Sequence, residues 1–435
     1  MLTDQVRDTV CLVPPPFLKK LSLWLSTAAA VAILVNLPAS QILLALAIGT
    51  LLLSGLPLRW PRIAVPLGLF LIWTLLSLGF SPDPANGLTQ VRKIYVFLIM
   101  LAVYSSVRTL SEVRFLVLAW AGVGTGTAAL GVYQYARKWF EALAQHRDFY
   151  HYYLDQRITG FQSHWMTFSG QELYLLLMLV SFLMFGPAPE REKARKTFRI
   201  GAVCALIVGS ALVLSYTRGP VLAAIVAGAW LIWSWKRWAV LALPVLLVAA
   251  LLFGPASLRQ RANSILHPET NTDSNEHRWI VWRTGWEMIK AHPVFGLGPE
   301  EISKPENFYA YLPKDIQRPL PPGYYQHLHS IYIHYAAERG IPAALFLTGA
   351  LLMALFDFRR ALKTLPPGRS DRRFLLQWAG ATVIGTMIVG VFDLNLGLTD
   401  ELSMFLIVMC LGYWAVVAVD APPVAATANS PALPL

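Results

Sequence analysis

His329 is the residue whose type and placement most directly offer acid–base chemistry. It lies in Gln326-His-Leu-His-Ser-Ile-Tyr-Ile-His-Tyr-Ala-Ala-Glu-Arg-Gly340, where a long polar segment gives way to an apolar run. An imidazole titrates near neutrality and can take a proton from a hydroxyl. Ser330, Tyr332 and Glu338 accompany it. The plain alternative is a surface histidine in a loop. A metal set of His327, His329 and His334 is a third reading. Their spacings of two and five do not put three imidazoles on one helical face, and no carboxylate or cysteine stands at a zinc-like spacing, so no metal is expected.

Several basic residues could hold an anion near this histidine. Arg218 sits in Ser215-Tyr-Thr-Arg-Gly-Pro220, between two apolar runs. An arginine near membrane depth needs an anionic partner or a wet cavity, or it snorkels to the interface. The adjoining Gly and Pro free backbone N–H groups, which suits an anion. Arg278 opens an expected helix at its positive dipole end, where a cation gains nothing from the dipole. A solvated helix face is its plain alternative, and Arg283 competes with it on the same helix. Arg157 lies in Asp155-Gln-Arg-Ile-Thr-Gly-Phe-Gln-Ser-His164, where Asp155 could pair with it. Arg92 and Lys93 start an apolar run, with interfacial anchoring as their default role. Asp393, Asp400 and Glu401 form an acidic group that could pair with an arginine or orient the histidine. Guanidinium forks bind phosphate oxygens bidentately, and nearby positive charge favours the neutral, basic imidazole. Such a site could hold a lipid diphosphate, activate a hydroxyl and stabilise the departing diphosphate without a metal or other cofactor.

The elements that must position these residues are membrane helices. The chain has 435 residues, 56% hydrophobic and 14% charged, with a mean hydropathy of +0.50. Soluble domains carry about 25% charged residues, so the composition indicates an all-α integral membrane protein, one polytopic domain over 1–435. About twelve spans are expected, each near the roughly 20 residues a bilayer needs. They fall at 21–37, 40–56, 63–80, 92–106, 112–134, 171–186, 200–216, 219–235, 238–254, 331–356, 374–394 and 402–420. The Lys and Arg of the short loops then share one side with both termini, including a tail at 421–435, and that side reads as cytoplasmic. The other side, the periplasm of a bacterium, receives loops at about 135–170 and 255–330. The second contains an expected interfacial helix over 275–291, capped by Ser274 or Asn275, with Trp279, Trp282, Trp286 and Ile289 on one stripe. Pro305 to Gly323 reads as an irregular loop. Cys11, Cys204 and Cys410 are too scattered for a disulfide framework, and no cleavable signal peptide is expected. The formal charge of +11 is partly the cytoplasmic bias. Nothing resembles a nucleic-acid surface, a Walker loop, a dinucleotide fingerprint or an Asp-x-Asp pair.

Four segments in order carry a family resemblance: Arg157-Ile-Thr-Gly160; Ser215-Tyr-Thr-Arg-Gly219; His277-Arg278-x-x-x-Trp282 running on to His292-Pro-Val-Phe-Gly-Leu-Gly298; and His329-Ser-Ile-Tyr with Glu338-x-Gly340. The chain resembles the O-antigen ligase/O-antigen polymerase superfamily of bacterial membrane glycosyltransferases over about residues 150–345. Ser330 stands where that family commonly has Asn. The resemblance implies a GT-C-like enzyme of the bacterial inner membrane, with undecaprenyl-diphosphate-linked glycan as donor and a periplasmic active site. It also implies metal-independent inverting transfer, with His329 as base and Arg218 and Arg278 on the diphosphate. Arg157 is a further candidate there, and Lys93, Arg92, Arg283, Tyr332 and Glu338 are secondary ones. Length and the single large late loop favour the ligase branch, which uses lipid A–core as acceptor. The polymerase and protein O-oligosaccharyltransferase branches stay open. A transporter of anionic lipid would require basic residues deeper in the spans and internal repeats, and a purely structural subunit would not need the polar His and Arg loops.

Overall fold

The computed structural model describes residues 16–154, 156–187, 191–253, 256, 259–260, 274–320 and 327–418. Among these, all regular secondary structure is helical. In chain order the α-helices are α1 (Pro16–Ala32), α2 (Leu37–Leu53), α3 (Ala64–Gly79), α4 (Pro84–Val91), α5 (Leu98–Ser106), α6 (Leu110–Ala144), α7 (Phe149–Leu154), α8 (Trp165–Phe185), α9 (Arg191–Leu214), α10 (Arg218–Trp235), α11 (Ala242–Phe253), α12 (Ser274–Ala291), α13 (Pro305–Ala310), α14 (Ile331–Arg339), α15 (Ile341–Thr364), α16 (Asp371–Phe392) and α17 (Thr399–Val417). Among the described residues, eight helical stretches are long and apolar enough to cross a membrane, and α2 and α3 are shorter apolar helices. The protein is a multi-pass membrane protein. Cys11, Asp155, Gln326 and the tail at 421–435 lie outside the described residues, as do the side chains of Ser274 and Asn275 and much of 255–273.

Each expected span coincides with a helix, but several differ in form. The expected span at 92–106 is a broken helix: α4, a 3-10 turn over Arg92–Phe97, then α5. The run expected to cross at 331–356 breaks at Gly340, which has φ +86. A Cβ there would lie 1.8 Å from the Val294 carbonyl oxygen, so α14 stays outside the span and α15 begins the crossing. The first loop expected on the outer side is shorter than 135–170, because α6 continues to Ala144 and α8 begins at Trp165. At a rise of about 1.5 Å per residue, the 35 residues of α6 extend over about 50 Å, well beyond a hydrocarbon core of about 30 Å. A capping box at Thr109 and Glu112 starts it.

The bundle is built around α8, α16 and α17. Over their most apolar windows these are 72%, 78% and 72% buried, whereas α9 and α10 are 17% and 22% buried and form its rim. Basic residues of the expected cytoplasmic side join helices at one end. Arg62 pairs with Asp357 at 2.9 Å, and Arg114 with Asp371 at 2.7 Å.

A second, smaller core lies outside this bundle. Ile280, Val281 and Met288 of α12 pack with Leu297, Ile302, Phe308, Leu312, Leu328 and Ala337. The expected single tryptophan stripe of α12 is therefore divided. Val281, Thr284 and Met288 face this core, Trp282 turns toward the His329 segment, and Trp279 and Trp286 are exposed. Gly285 lets α12 approach closely, since a Cβ there would meet Leu328 and Ile333 at 2.6 Å. Pro305 does not lie in an irregular loop; it opens α13 from the first turn, a position that needs no N–H donor.

Candidate functional site

His327 and His329 flank Leu328, which is fully buried in the small core. Anchoring that side chain leaves the two imidazoles together, with ring centroids 4.1 Å apart. His277, at the start of α12, meets His329 edge to face at 5.0 Å. His329 has φ +45, a left-handed conformation that costs a non-glycine residue about 1 kcal/mol or more. Its carbonyl accepts a hydrogen bond from the Trp282 indole at 3.4 Å. The Nδ1 atoms of His327 and His329 are buried and have no hydrogen-bond partner among the described residues.

Asp393 reaches these histidines from the C-terminal end of α16. It is 6% exposed, and its Oδ1 accepts from the Leu394 N–H at 2.7 Å. One ligand atom from each of His327, His329 and Asp393 lies within 4.8 Å of the others. No carboxylate stands at a zinc-like spacing along the chain, but folding brings one from another helix, Asp393 of the acidic group expected to pair with an arginine or orient the histidine. His334 stands apart from this trio, buried on α14 with its Nε2 3.6 Å from Glu338.

Arg278 ties α12 to the same helix end by donating from Nε to the Phe392 carbonyl at 3.0 Å. Its charge acts on both Asp393 and His329. Arg218 begins α10, and a Cβ added at the next residue, Gly219, would lie 4.0 Å from Phe392 Cβ. The Ser215–Pro220 turn therefore abuts the segment that carries Asp393 and receives Arg278. Tyr216, with φ +53, shapes this turn and packs with Tyr135 and Tyr153. The Tyr153 hydroxyl donates to the Leu214 carbonyl at 2.6 Å and accepts from the Ile158 N–H at 3.3 Å. One aromatic cluster thus positions the segments bearing Arg157 and Arg218. Arg157 donates to the Leu154 carbonyl, stacks over Trp165 at 4.4 Å and adds positive charge near His164.

The electrostatics favour neutral imidazoles. Burial first, and then the neighbouring His327, His277 and Arg278, push His329 from its ordinary 6.5 down to about 2. Burial and the neighbouring histidines push His327 down to about 4. Burial raises Asp393 to about 6, against the Leu394 N–H and Arg278, which lower it. His329 is held in the neutral form, and the same burial and positive neighbours weaken it as a base.

The secondary candidates fall elsewhere. Arg283 forms a forked pair with Asp315 at 2.7 and 2.9 Å. Tyr332 donates to the Met387 carbonyl at 3.0 Å and anchors α14 to α16. Glu338 is 1% exposed and pairs with Arg339 at 3.0 Å, while its other oxygen accepts from the Glu300 N–H at 3.0 Å. Arg339 also donates to Thr74 and Gln90. The Leu297 and Gly298 N–H groups donate to the Ala337 and Glu338 carbonyls. The Pro-x-x-Gly-x-Gly and Glu-x-Gly segments are therefore two halves of one structural clasp. Arg92 and Lys93 are exposed on the 3-10 turn. Lys93 lines a small cavity with Gln90, His334 and Arg339.

Two members of the cluster carry weak sequence signals. His327 shows only its alternation with His329 around an apolar residue, and His277 only its place beside Arg278. No curated protein matches the chain. Residues 202–348 match a family described as O-antigen ligase, a stretch that holds Arg218, Arg278, His327 and His329 but neither Arg157 nor Asp393. Over that stretch, about a third of the chain, the protein is similar to the O-antigen ligase family.

Proposed function

We propose that this protein is an O-antigen ligase, transferring glycan from undecaprenyl diphosphate to a sugar hydroxyl of lipid A–core at the periplasmic face of the inner membrane. The similarity of residues 202–348 to the O-antigen ligase family supports the general class, membrane-embedded transfer of lipid-linked glycan. The observation that carries the finer reading is the meeting of a neutral, half-buried His329 with Arg278 at the end of α16, next to the Arg218 turn. His329 takes the acceptor hydroxyl proton as that oxygen bonds to the anomeric carbon. The bond from that carbon to the diphosphate breaks, and the diphosphate leaves with the electron pair. Arg218 and Arg278 hold its oxygens, with Arg157 near the rim. Attack opposite the leaving group inverts the anomeric centre. Asp393 beside the imidazole favours the imidazolium that forms. In this reading 255–330 is the periplasmic loop, and its helix α12 lies beside the lipid head group.

The test uses purified protein in detergent, an undecaprenyl-diphosphate glycan and two acceptors in parallel, lipid A–core and a second lipid-linked repeat, each with and without EDTA. Transfer to lipid A–core that is indifferent to EDTA and lost in His329→Ala is the expected result. Growth on the lipid-linked acceptor would identify a polymerase instead. No transfer to either would return attention to a protein acceptor or to transport.

A further inference from the structure

We propose that the His327–His329–Asp393 cluster is also a binding site for a borderline transition-metal ion of the zinc type, and that the bound ion inhibits transfer. The inhibitory half rests on the reading of His329 as the base; the binding half does not. Two imidazole nitrogens and a carboxylate oxygen lie within 4.8 Å of one another, close enough to share one ion. Imidazole with carboxylate is the donor set of zinc, copper and nickel sites, whereas magnesium prefers oxygen donors and keeps several waters.

The surroundings add a second, independent indication. The Nδ1 atoms of both histidines are buried and lack a hydrogen-bond partner among the described residues. Buried polar atoms are normally satisfied, and one that is not calls for a ligand or a catalytic role. The scaffold holds the donors in place. Leu328 is locked in the small core, His329 is fixed at φ +45, and Asp393 is held by the Leu394 N–H. Arg278 opposes a cation here, as its charge acts on both His329 and Asp393. An ion that coordinates His329 occupies a nitrogen lone pair of the proposed base. It therefore blocks proton transfer without touching Arg218.

The experiment titrates the full chain in detergent, purified without a histidine tag and stripped with EDTA, with zinc chloride under calorimetry. Magnesium chloride serves as the parallel arm. The wild type is expected to bind one zinc ion per chain and no magnesium. Asp393→Asn keeps the acceptor for the Leu394 N–H, and His327→Ala removes a neutral ligand. Each is expected to weaken zinc by about 10-fold or more, since losing even an outer-shell partner costs about 10–100-fold. His292→Ala, at an exposed histidine, is expected to bind like the wild type. Identical titrations for wild type, Asp393→Asn and His327→Ala would overturn the site. Glycan transfer is then measured with the same zinc additions. Inhibition reversed by EDTA supports the inhibitory half. Full activity at saturating zinc would overturn that half and remove His329 as the base, while leaving the metal site standing.

Discussion

The two ends of α14 make a useful contrast. Both carry histidine or charge, and both lie within the same short stretch of chain. At the C-terminal end, Glu338 and Arg339 bond to each other and to Thr74, Gln90 and the Glu300 N–H. At the N-terminal end, one ring nitrogen each of His327 and His329 lies within 4.8 Å of a carboxylate oxygen of the buried Asp393, and their buried Nδ1 atoms have no hydrogen-bond partner among the described residues. A satisfied buried pair closes a structure. Unsatisfied donors and acceptors held by rigid neighbours leave something for a ligand to do. The contrast separates two motifs that look equally polar in the sequence: His329-Ser-Ile-Tyr forms the proposed site, and Glu338-x-Gly340 forms the clasp that holds it.

Substitutions at the two ends should therefore fail in different ways. His329→Ala is expected to lower transfer by about 100-fold to 10,000-fold, the range for loss of a general base, with the melting temperature near wild type. A variant that loses activity only because it unfolds would erase the contrast. Glu338→Ala should do the reverse. It leaves Arg339 as a buried unpaired charge, which costs about 3–5 kcal/mol, so a large drop in melting temperature is expected while the folded fraction keeps its turnover. Catalytic loss in a Glu338→Gln protein of normal stability would move Glu338 into the site.

Smaller effects sharpen the picture. Arg278→Lys keeps the charge but loses the fork and the Nε donor to Phe392. Charge-assisted hydrogen bonds contribute about 1.5–3 kcal/mol, so KM for the donor should rise by roughly 10-fold or more, as read from initial rates. His334 supplies a pH test of the clasp. Burial first lowers it from its ordinary 6.5, Glu338 and Glu300 oppose that shift, and Arg339 adds to it. A depressed folded value means that the unfolded chain binds the proton more readily. The stability contribution is then full above pH 6.5 and is lost as pH falls below it. Thermal melts of His334→Gln should show a flatter acid limb than wild type. Arg283→Ala should change least. Its partner Asp315 is exposed, and such pairs contribute little, so transfer and melting close to wild type are expected. A strong loss of transfer would place Arg283 on the substrate.

Local pattern determined much of this protein. Apolar runs separated by Lys and Arg give the helices, because a helix that crosses a bilayer must satisfy its own backbone and show an apolar surface. The periodic Trp279, Trp282, Trp286 and Ile289 pointed to the helix at 275–291, and the residue types of His329, Arg218 and Arg278 pointed to the chemistry to look for. Only the tertiary structure decided which of these meet. Gly340 ends one helix and starts another because the Val294 carbonyl occupies the space a side chain would need. Glu338 turns toward Arg339 and the Gly298 turn, and Arg283 turns toward Asp315. Asp393 joins two histidines from the far end of another helix. Such meetings depend on where helices break and how they pack, and hydropathy and spacing along one strand of sequence do not encode the distance between separate breaks.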